Sequence, residues 1–379
     1  MGRNLAVIKV GGSVLKSPHS YVKVAEELSK TILREGPTLL VVSAMQGVTD
    51  ILIRVLEGSN NGLRYLRELY LRAAREVSPE LEGAVLTRIS RLKEALRYRR
   101  TKRSDAEILS IGEIISKELM VEALKNTGVV ACPLKAEDII VAEDKGGVAI
   151  IDYQETLARL RKAVIPPLES GAVPVIEGFI ASCGGGSICV LGRGGSDYTA
   201  TSVGALLEAE VIHLYTAVEG VMSADPSIVN NAKVVECLTY REAMHASIAG
   251  VKRFHPLTFH PLLHIHPSTV IVGPLTGGTL ITEKCGKGQR PKIISLRRRG
   301  DVAEMRIVGE VNNAAVIVQE ILRTLLKYRV RVLAIEAYSD KPSVTVKVPA
   351  ESGSEAVRIL HNALITHAGK ATVLEVLQE

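Results

Sequence analysis

Four short stretches of this 379-residue chain place glycines or turn-forming residues beside groups that bind anions or cations. The first is Lys9-Val10-Gly11-Gly12-Ser13. An apolar run ends on a lysine, and two glycines then let the backbone pass close to a ligand with its N–H groups facing it. A cation beside exposed amides, with the positive end of a following helix, suits a polyphosphate. Taken alone, the same residues also fit a plain strand-to-helix turn. The second is Gly192-Arg193-Gly194-Gly195-Ser196-Asp197, which opens a helix. Its arginine can hold a carboxylate through a two-pronged fork, and Asp197 falls in the first helical turn, where the dipole keeps it ionised. A simple helix cap with a surface arginine is the plainer alternative. The third, Ser43-Ala44-Met45-Gln46-Gly47-Val48-Thr49, is a polar turn after a β-rich run, and without context it is an ordinary loop. The fourth is Gly112-Glu113, inside a helix otherwise apolar on one face. A carboxylate there could hold an ammonium group, although an exposed helix glutamate is the commoner arrangement.

These stretches need elements to carry them. Leu5–Val10, Thr38–Ser43, Val173–Ile180 and Val211–Thr216 read as strands, whereas Tyr21–Glu35, Glu107–Asn126 and Thr199–Glu208 have helical spacing. Alternation of this kind predicts an α/β three-layer sandwich around a mostly parallel sheet, in which ligands gather at the carboxyl ends of the strands. A composition break over Gly273–Gly300 precedes a second pattern. There Val302–Val308, Val330–Tyr338, Ser343–Val348 and Ala371–Leu377 read as strands, and Ala314–Tyr328 and Glu351–His367 as helices. This βαββαβ order predicts a small ferredoxin-like domain. The expected division is therefore 1–285 for the larger domain, 286–300 for a linker and 301–379 for the smaller one.

Composition excludes several classes. The net charge of +6 is concentrated at Arg97–Arg103 and Arg297–Arg299, and aromatics are only 3%, so no stacking platform for nucleic acid is expected. The two basic runs read as a solvated helix end and a linker. No run reaches the ~18 apolar residues of a membrane span, and Met1–Val10 lacks signal-peptide architecture, so a cytoplasmic protein is expected. Five scattered cysteines without a CxxC pair predict buried thiols in place of disulfides or a zinc site. His255, His260, His264 and His266 lack acidic or thiol company and are read as structural, with no metal site built by the protein itself.

Together these residues resemble the aspartokinase branch of the amino-acid kinase family. The resemblance runs through Lys9–Ser13, Ser43–Thr49, Leu109–Ser116, Glu177–Phe179, Leu191–Ala200, Thr216–Pro226, Gly250–Pro256 and Gly278–Thr282. The most specific run is LGRGGSDYTA, flanked at suitable distances by VSAMQGVTD and GVKRFHP. The C-terminal region is similar to an ACT domain. The resemblance implies a kinase that moves the γ-phosphate of ATP, with Mg²⁺ carried on its phosphates, to the side-chain carboxylate of L-aspartate, on the route to lysine, threonine and methionine. It implies that Lys9 bridges the transferred phosphate, that Gly11, Gly12, Ser13, Gly194 and Gly195 cradle phosphate, and that Thr216 and Lys252 serve the ATP side. It casts Thr49, Glu113, Phe179, Arg193 and Ser196 as the aspartate site and Asp197 as the organiser of the lysine. It further implies a homodimer or higher homo-oligomer and an amino-acid effector at the ACT-like domain, but no nucleic-acid or membrane partner.

Two departures stand out. The family's T-D-V-D-G-V-Y-T-A-D-P-R segment reads here with Ala217, Met222 and Ser227, which removes an acid, an aromatic surface and a cation from the nucleotide side. The tail after the linker is long enough for one ACT unit, where two are common. A non-catalytic amino-acid-binding regulator, or a kinase for another small carboxylate, is therefore a rival expectation.

Overall fold

Strand Ala6–Val10 sits between Thr38–Val42 and Val211–Tyr215, parallel to both, with Ile8 opposite Leu40 on one side and His213 on the other. The computed structural model describes residues 4–31, 35–97, 101–248, 254–286, 290–310 and 314–366. Packing divides the chain into two units. One contains Met1–Val218 with His260–Gly277, the other Glu219–Phe259 with Gly278–Glu379.

In the first unit six parallel strands run in the order Thr269–Gly273, Val211–Tyr215, Ala6–Val10, Thr38–Val42, Val173–Glu177, Ala131–Pro133. Strand Thr38–Val42 is buried at all five positions, as expected of a strand covered on both faces. One face carries the helices Ser20–Lys30, Val48–Leu56, Asn60–Val77, Leu81–Ala95 and Lys102–Asn126, which share a core with Ile8, Val10, Leu40, Val42 and Val175. Tyr21, Val24, Ala25 and Leu28 are the buried stripe of the first of these, at helical spacing. The other face carries Tyr153–Glu169 and Gly195–Leu206. Gly204 lets the latter lie close, because a Cβ there would fall 2.4 Å from Ile212 Cδ1. The architecture is the expected three-layer α/β sandwich.

The long helix Lys102–Asn126 starts earlier than its apolar periodicity indicates, because Thr101 and Ser104 form a reciprocal cap. Lys102 and Arg103 of the basic run occupy its exposed first turn, and residues 98–100 lie outside the described ones.

In the second unit Cys237–Thr239 and Thr279–Thr282 pair in parallel. A separate antiparallel sheet runs in the order Ile293–Arg299, Val302–Val308, Ser343–Pro349, Ala334–Ala337. Helices Ala314–Lys327 and Gly353–His361 contribute Ile321, Leu325, Ala356, Val357 and Leu360 to its core. Ala224 and Val229 join the same core, so residues 219–235 pack with the C-terminal part of the chain.

Two expectations need correcting. Residues 293–299, read as linker, form the end strand of the antiparallel sheet, with Ile294 N donating to Ser223 O and the charged, exposed Arg297–Arg299 of the kind that discourages further strand pairing. The cysteines are not all thiols: Cys183 pairs with Cys189 and Cys237 with Cys285. The first pair closes a hairpin, Ile180–Cys183 with Ser187–Val190. The second forms beside two strands that are distant in sequence, a proximity no spacing rule conveys. Cys132 is free among the described residues. The expected strand Ala371–Leu377 lies outside them.

Candidate active site

The carboxyl ends of the central strands bring together three of the four stretches read from sequence, and a helix buried against them supplies the fourth. Lys9 is the penultimate residue of strand Ala6–Val10, and its Nζ stands 2.7 Å from Asp197 Oδ1. Both side chains are nearly enclosed, at 14% and 10% exposure. Asp197 lies in the first turn of helix Gly195–Leu206, whose N-cap Gly194 takes the left-handed conformation, φ 78°. The amides of Asp197 and Tyr198 donate to Gly194 O and close that first turn.

Gly11 and Gly12 are there because nothing larger fits. A Cβ on Gly11 would lie 2.9 Å from Tyr215 O and 3.3 Å from Lys9 Nζ, and one on Gly12 would lie 2.9 Å from Ala44 O. The turn is further tied by Gly11 N donating to Tyr215 O. Ser13 Oγ and Thr216 Oγ1 are 2.8 Å apart, and Ala217 N donates to Ser13 Oγ. Sequence positions 13 and 216 thus share one corner.

The loop after strand Thr38–Val42 is fixed by Ser43 N donating to Val10 O and Gln46 N donating to Leu15 O. It enters helix Val48–Leu56 through left-handed Gly47. Thr49 is half-buried in the first turn, and exposed Asp50 pairs with the exposed Arg193 guanidinium at 3.0 Å.

Glu113 differs from the common expectation for a helix glutamate. It is buried, at 3% exposure, and its Oε2 has no hydrogen-bond partner. Burial pushes its carboxyl up to about 8, and the charge of Glu177 adds to the rise. Hydrogen bonds from the backbone at Glu113 and Ala44, and the charge of Lys9, pull the other way. Glu113 is drawn inside because its neighbour Gly112 brings the helix against the Ser43–Thr49 loop: a Cβ at Gly112 would meet Val48 Cγ1 at 2.8 Å and Ala44 Cβ at 2.9 Å.

Phe179 has φ 71°, a costly conformation for a bulky side chain and one held by its surroundings. Its amide donates to Thr199 Oγ1 and its carbonyl accepts from Leu191 N. Gly178 packs on Ser196, whose Cβ would be 2.5 Å from a Cβ at 178. Gly195 and buried Ser196 adjoin this turn, whereas Lys252 lies outside the described residues.

Several participants escaped the sequence reading. Tyr21 Oη lies 2.7 Å from Ser116 Oγ, and Tyr70 Oη donates to Gly112 O, behind Glu113. Lys117 and Glu177 form a buried ion pair. The i, i+4 spacing of Glu113 and Lys117 suggests a pair within the helix, but Lys117 is instead paired with Glu177 of a distant strand, a partner no local spacing indicates.

The fold and this strand-end site define a class. The amino acid kinase family model matches residues 4–273, and the chain belongs to that family. Among its relatives, the lysine-sensitive aspartokinase 3 of Escherichia coli (strain K12) is 31% identical over 278 residues, which cover 69% of this chain and 61% of that protein. Aspartokinase 1, chloroplastic, of Arabidopsis thaliana is 28% identical over 332 residues, covering 80% of this chain and 57% of that one. The chain thus spans about three fifths of the length of the curated relatives it matches. The fold is also that of E. coli aspartokinase III. Its complex with lysine and aspartate (T-state) matches with TM-score 0.80 at 21% identity, covering 95% of this chain and 99% of that one. Its complex with aspartate and ADP (R-state) matches with TM-score 0.73 at 22% identity, covering 95% and 84%. No helix among the described residues is long and apolar enough to cross a membrane.

Proposed function

We propose that the chain is an aspartate kinase, which transfers the γ-phosphate of ATP to the side-chain carboxylate of L-aspartate. The observation that carries this reading is Glu113: a buried carboxylate with an unfilled acceptor atom, close enough to Lys9 to feel its charge. A buried polar atom without a partner calls for a donor, and the ammonium group of an amino acid is a donor of the right charge. The aspartokinase names of the relatives and the aspartate and ADP in the similar solved structures support the same choice.

The nucleophile needs no base. A side-chain carboxylate with a pKa near ~3.9 is ionised at neutral pH, so the obstacle is repulsion between two anions. Lys9 is placed to neutralise the transferring phosphoryl group, and Asp197 holds its ammonium at the strand end. The amides around Gly11, Gly12 and Ser13, and the start of helix Gly195–Leu206 at Gly194 and Gly195, add fixed positive dipoles. Arg193 takes one carboxylate of the acceptor, Thr49, Phe179 and Ser196 line its seat, and Glu113 takes its ammonium. A carboxylate oxygen then forms a bond to the γ-phosphorus as the bond from that phosphorus to the β,γ-bridging oxygen breaks, and ADP leaves. Mg²⁺ on the ATP phosphates would lower their charge, with Asp197 the acidic group nearest Lys9. Thr216, tied to Ser13, and Lys252 are assigned to the nucleotide side. The antiparallel sheet of the second unit, with its two helices, is read as an ACT-like module open to an amino-acid effector.

The test is a hydroxamate assay: purified protein, ATP, Mg²⁺, hydroxylamine and a panel of small acids. Aspartate-dependent acyl phosphate is expected. Signal with none of the acids would overturn the reading in favour of a non-catalytic amino-acid binder.

A further inference from the structure

Beneath the acceptor side of the site lies an ion pair that the reaction itself does not use. Lys117 Nζ is 2.6 Å from Glu177 Oε1, and the two side chains are 7% and 4% exposed. Each has a second partner: Lys117 Nζ donates to Leu134 O, and Ala136 N donates to Glu177 Oε2. Four chain segments are thereby tied at one point, namely the end of strand Val173–Glu177, the helix Lys102–Asn126, the turn at Leu134 and the start of helix Ala136–Ile139.

Stability alone is a poor reason for this arrangement. Removing two charges from water costs several kcal/mol per ion, and well-packed apolar residues of similar volume often serve as well or better. What an apolar pair lacks is direction. Lys117 lies one turn beyond Glu113 on the same helix. Glu177 is the last strand residue before Gly178, which has no room for a Cβ against Ser196, and before Phe179 with its left-handed backbone. The pair therefore joins the two sides of the acceptor seat, the Glu113 carboxylate on one and the Gly178–Phe179 turn on the other. It is also electrically joined to the seat, since the charge of Glu177 acts on Glu113.

We infer that Lys117 and Glu177 are positioning residues that set the Phe179 turn at a fixed distance and angle from Glu113, and so determine how tightly the amino-acid acceptor is held. The inference rests on the aspartate reading for its ligand, but its geometry can be tested apart from it.

The experiment compares wild type with Lys117→Met/Glu177→Met. Replacing both members leaves no lone buried charge, although Ala136 N and Leu134 O lose their side-chain partners, so the double variant should lose no more than a few degrees of melting temperature. KM for ATP should stay put while KM for aspartate rises about tenfold or more, the scale expected of an ångström-sized misplacement. Hydrogen exchange at the Phe179 amide, which donates to Thr199 Oγ1, should quicken about tenfold while the preceding strand Val173–Glu177 keeps its protection. Should this variant not fold, Lys117→Met/Glu177→Gln keeps Ala136 N bonded, still removes the tie to the helix, and is read the same way. An unchanged KM for aspartate overturns the inference. If wild type turns over no aspartate, the functional reading fails, and the Phe179 exchange alone decides: wild-type protection in the variant leaves the pair a packing element only.

Discussion

Lys9 Nζ and Asp197 Oδ1 meet at 2.7 Å although 188 positions separate them, one at the end of a strand and the other in the first turn of a helix. The contact joins a cation at a strand end to the carboxylate that, in the proposed function, aims it at the transferring phosphate. Lys9→Ala and Asp197→Asn are each expected to lower kcat by about two to three orders of magnitude, the scale of losing one preorganised electrostatic contact. Circular dichroism should report an intact fold in both. Near-wild-type turnover in either variant would contradict these roles.

Glu113 gives a pH dependence with a definite sign. Its folded value is raised from 4.5 to about 8, so the native state holds this proton more tightly than the unfolded chain. Its contribution to stability is therefore present at low pH and is lost as pH climbs from about 4.5 through 8. Glu113→Gln has no such term. In urea titrations between pH 5 and 9 the variant should gain on wild type across that window and level off above it. Aspartate binding should run the other way in wild type, strengthening as pH rises towards 8 and the carboxylate ionises. The variant should bind aspartate weakly at every pH.

Arg193 and Asp50 form an exposed pair, 69% and 57% accessible, that contributes little to stability. It does occupy the guanidinium assigned to the acceptor's carboxylate. Asp50→Asn should leave the melting temperature unchanged and lower KM for aspartate about two- to threefold by removing a competitor. Arg193→Ala should raise that KM by about ten- to a hundredfold through loss of a charge-assisted contact. Steady-state kinetics in the hydroxamate assay checks both.

Gly178→Ala would push a methyl into Ser196, whose Cβ is 2.5 Å from the added atom. Overpacking of this kind costs about 1–3 kcal/mol. The expected result is a lower melting temperature together with a raised KM for aspartate, since the seat of Phe179 moves with it.

The parallel core was legible because its strands are short apolar runs ending in glycine or polar turns, as at Val10-Gly11 and Glu177-Gly178. Lys9, Gly11, Gly12 and Asp197 stand out through the resemblance of Lys9–Ser13 and Leu191–Ala200 to aspartokinase motifs, because a lysine before two glycines by itself fits a plain strand-to-helix turn equally well. Helices Asn60–Val77 and Leu81–Ala95 went unassigned: their buried stripes lie among many charged residues, and only the neighbouring helices reveal which face turns inward. Edge strand Ile293–Arg299 was hidden by its arginine triplet, which reads as linker until the adjacent strand is seen. The disulfides, the burial of Glu113 and the Lys117–Glu177 pair all depend on distant segments meeting. No local pattern encodes such meetings, and here they determine the electrostatics of the site.

A crystal structure of the chain with ADP, Mg²⁺ and L-aspartate tests the central claim most directly. The account predicts the aspartate ammonium on Glu113 Oε2, its side-chain carboxylate turned towards the phosphate end beside Lys9, and Arg193 released from Asp50 to the other carboxylate. Aspartate bound elsewhere, with Glu113 still unpartnered and Lys9 facing away from the nucleotide, would contradict it.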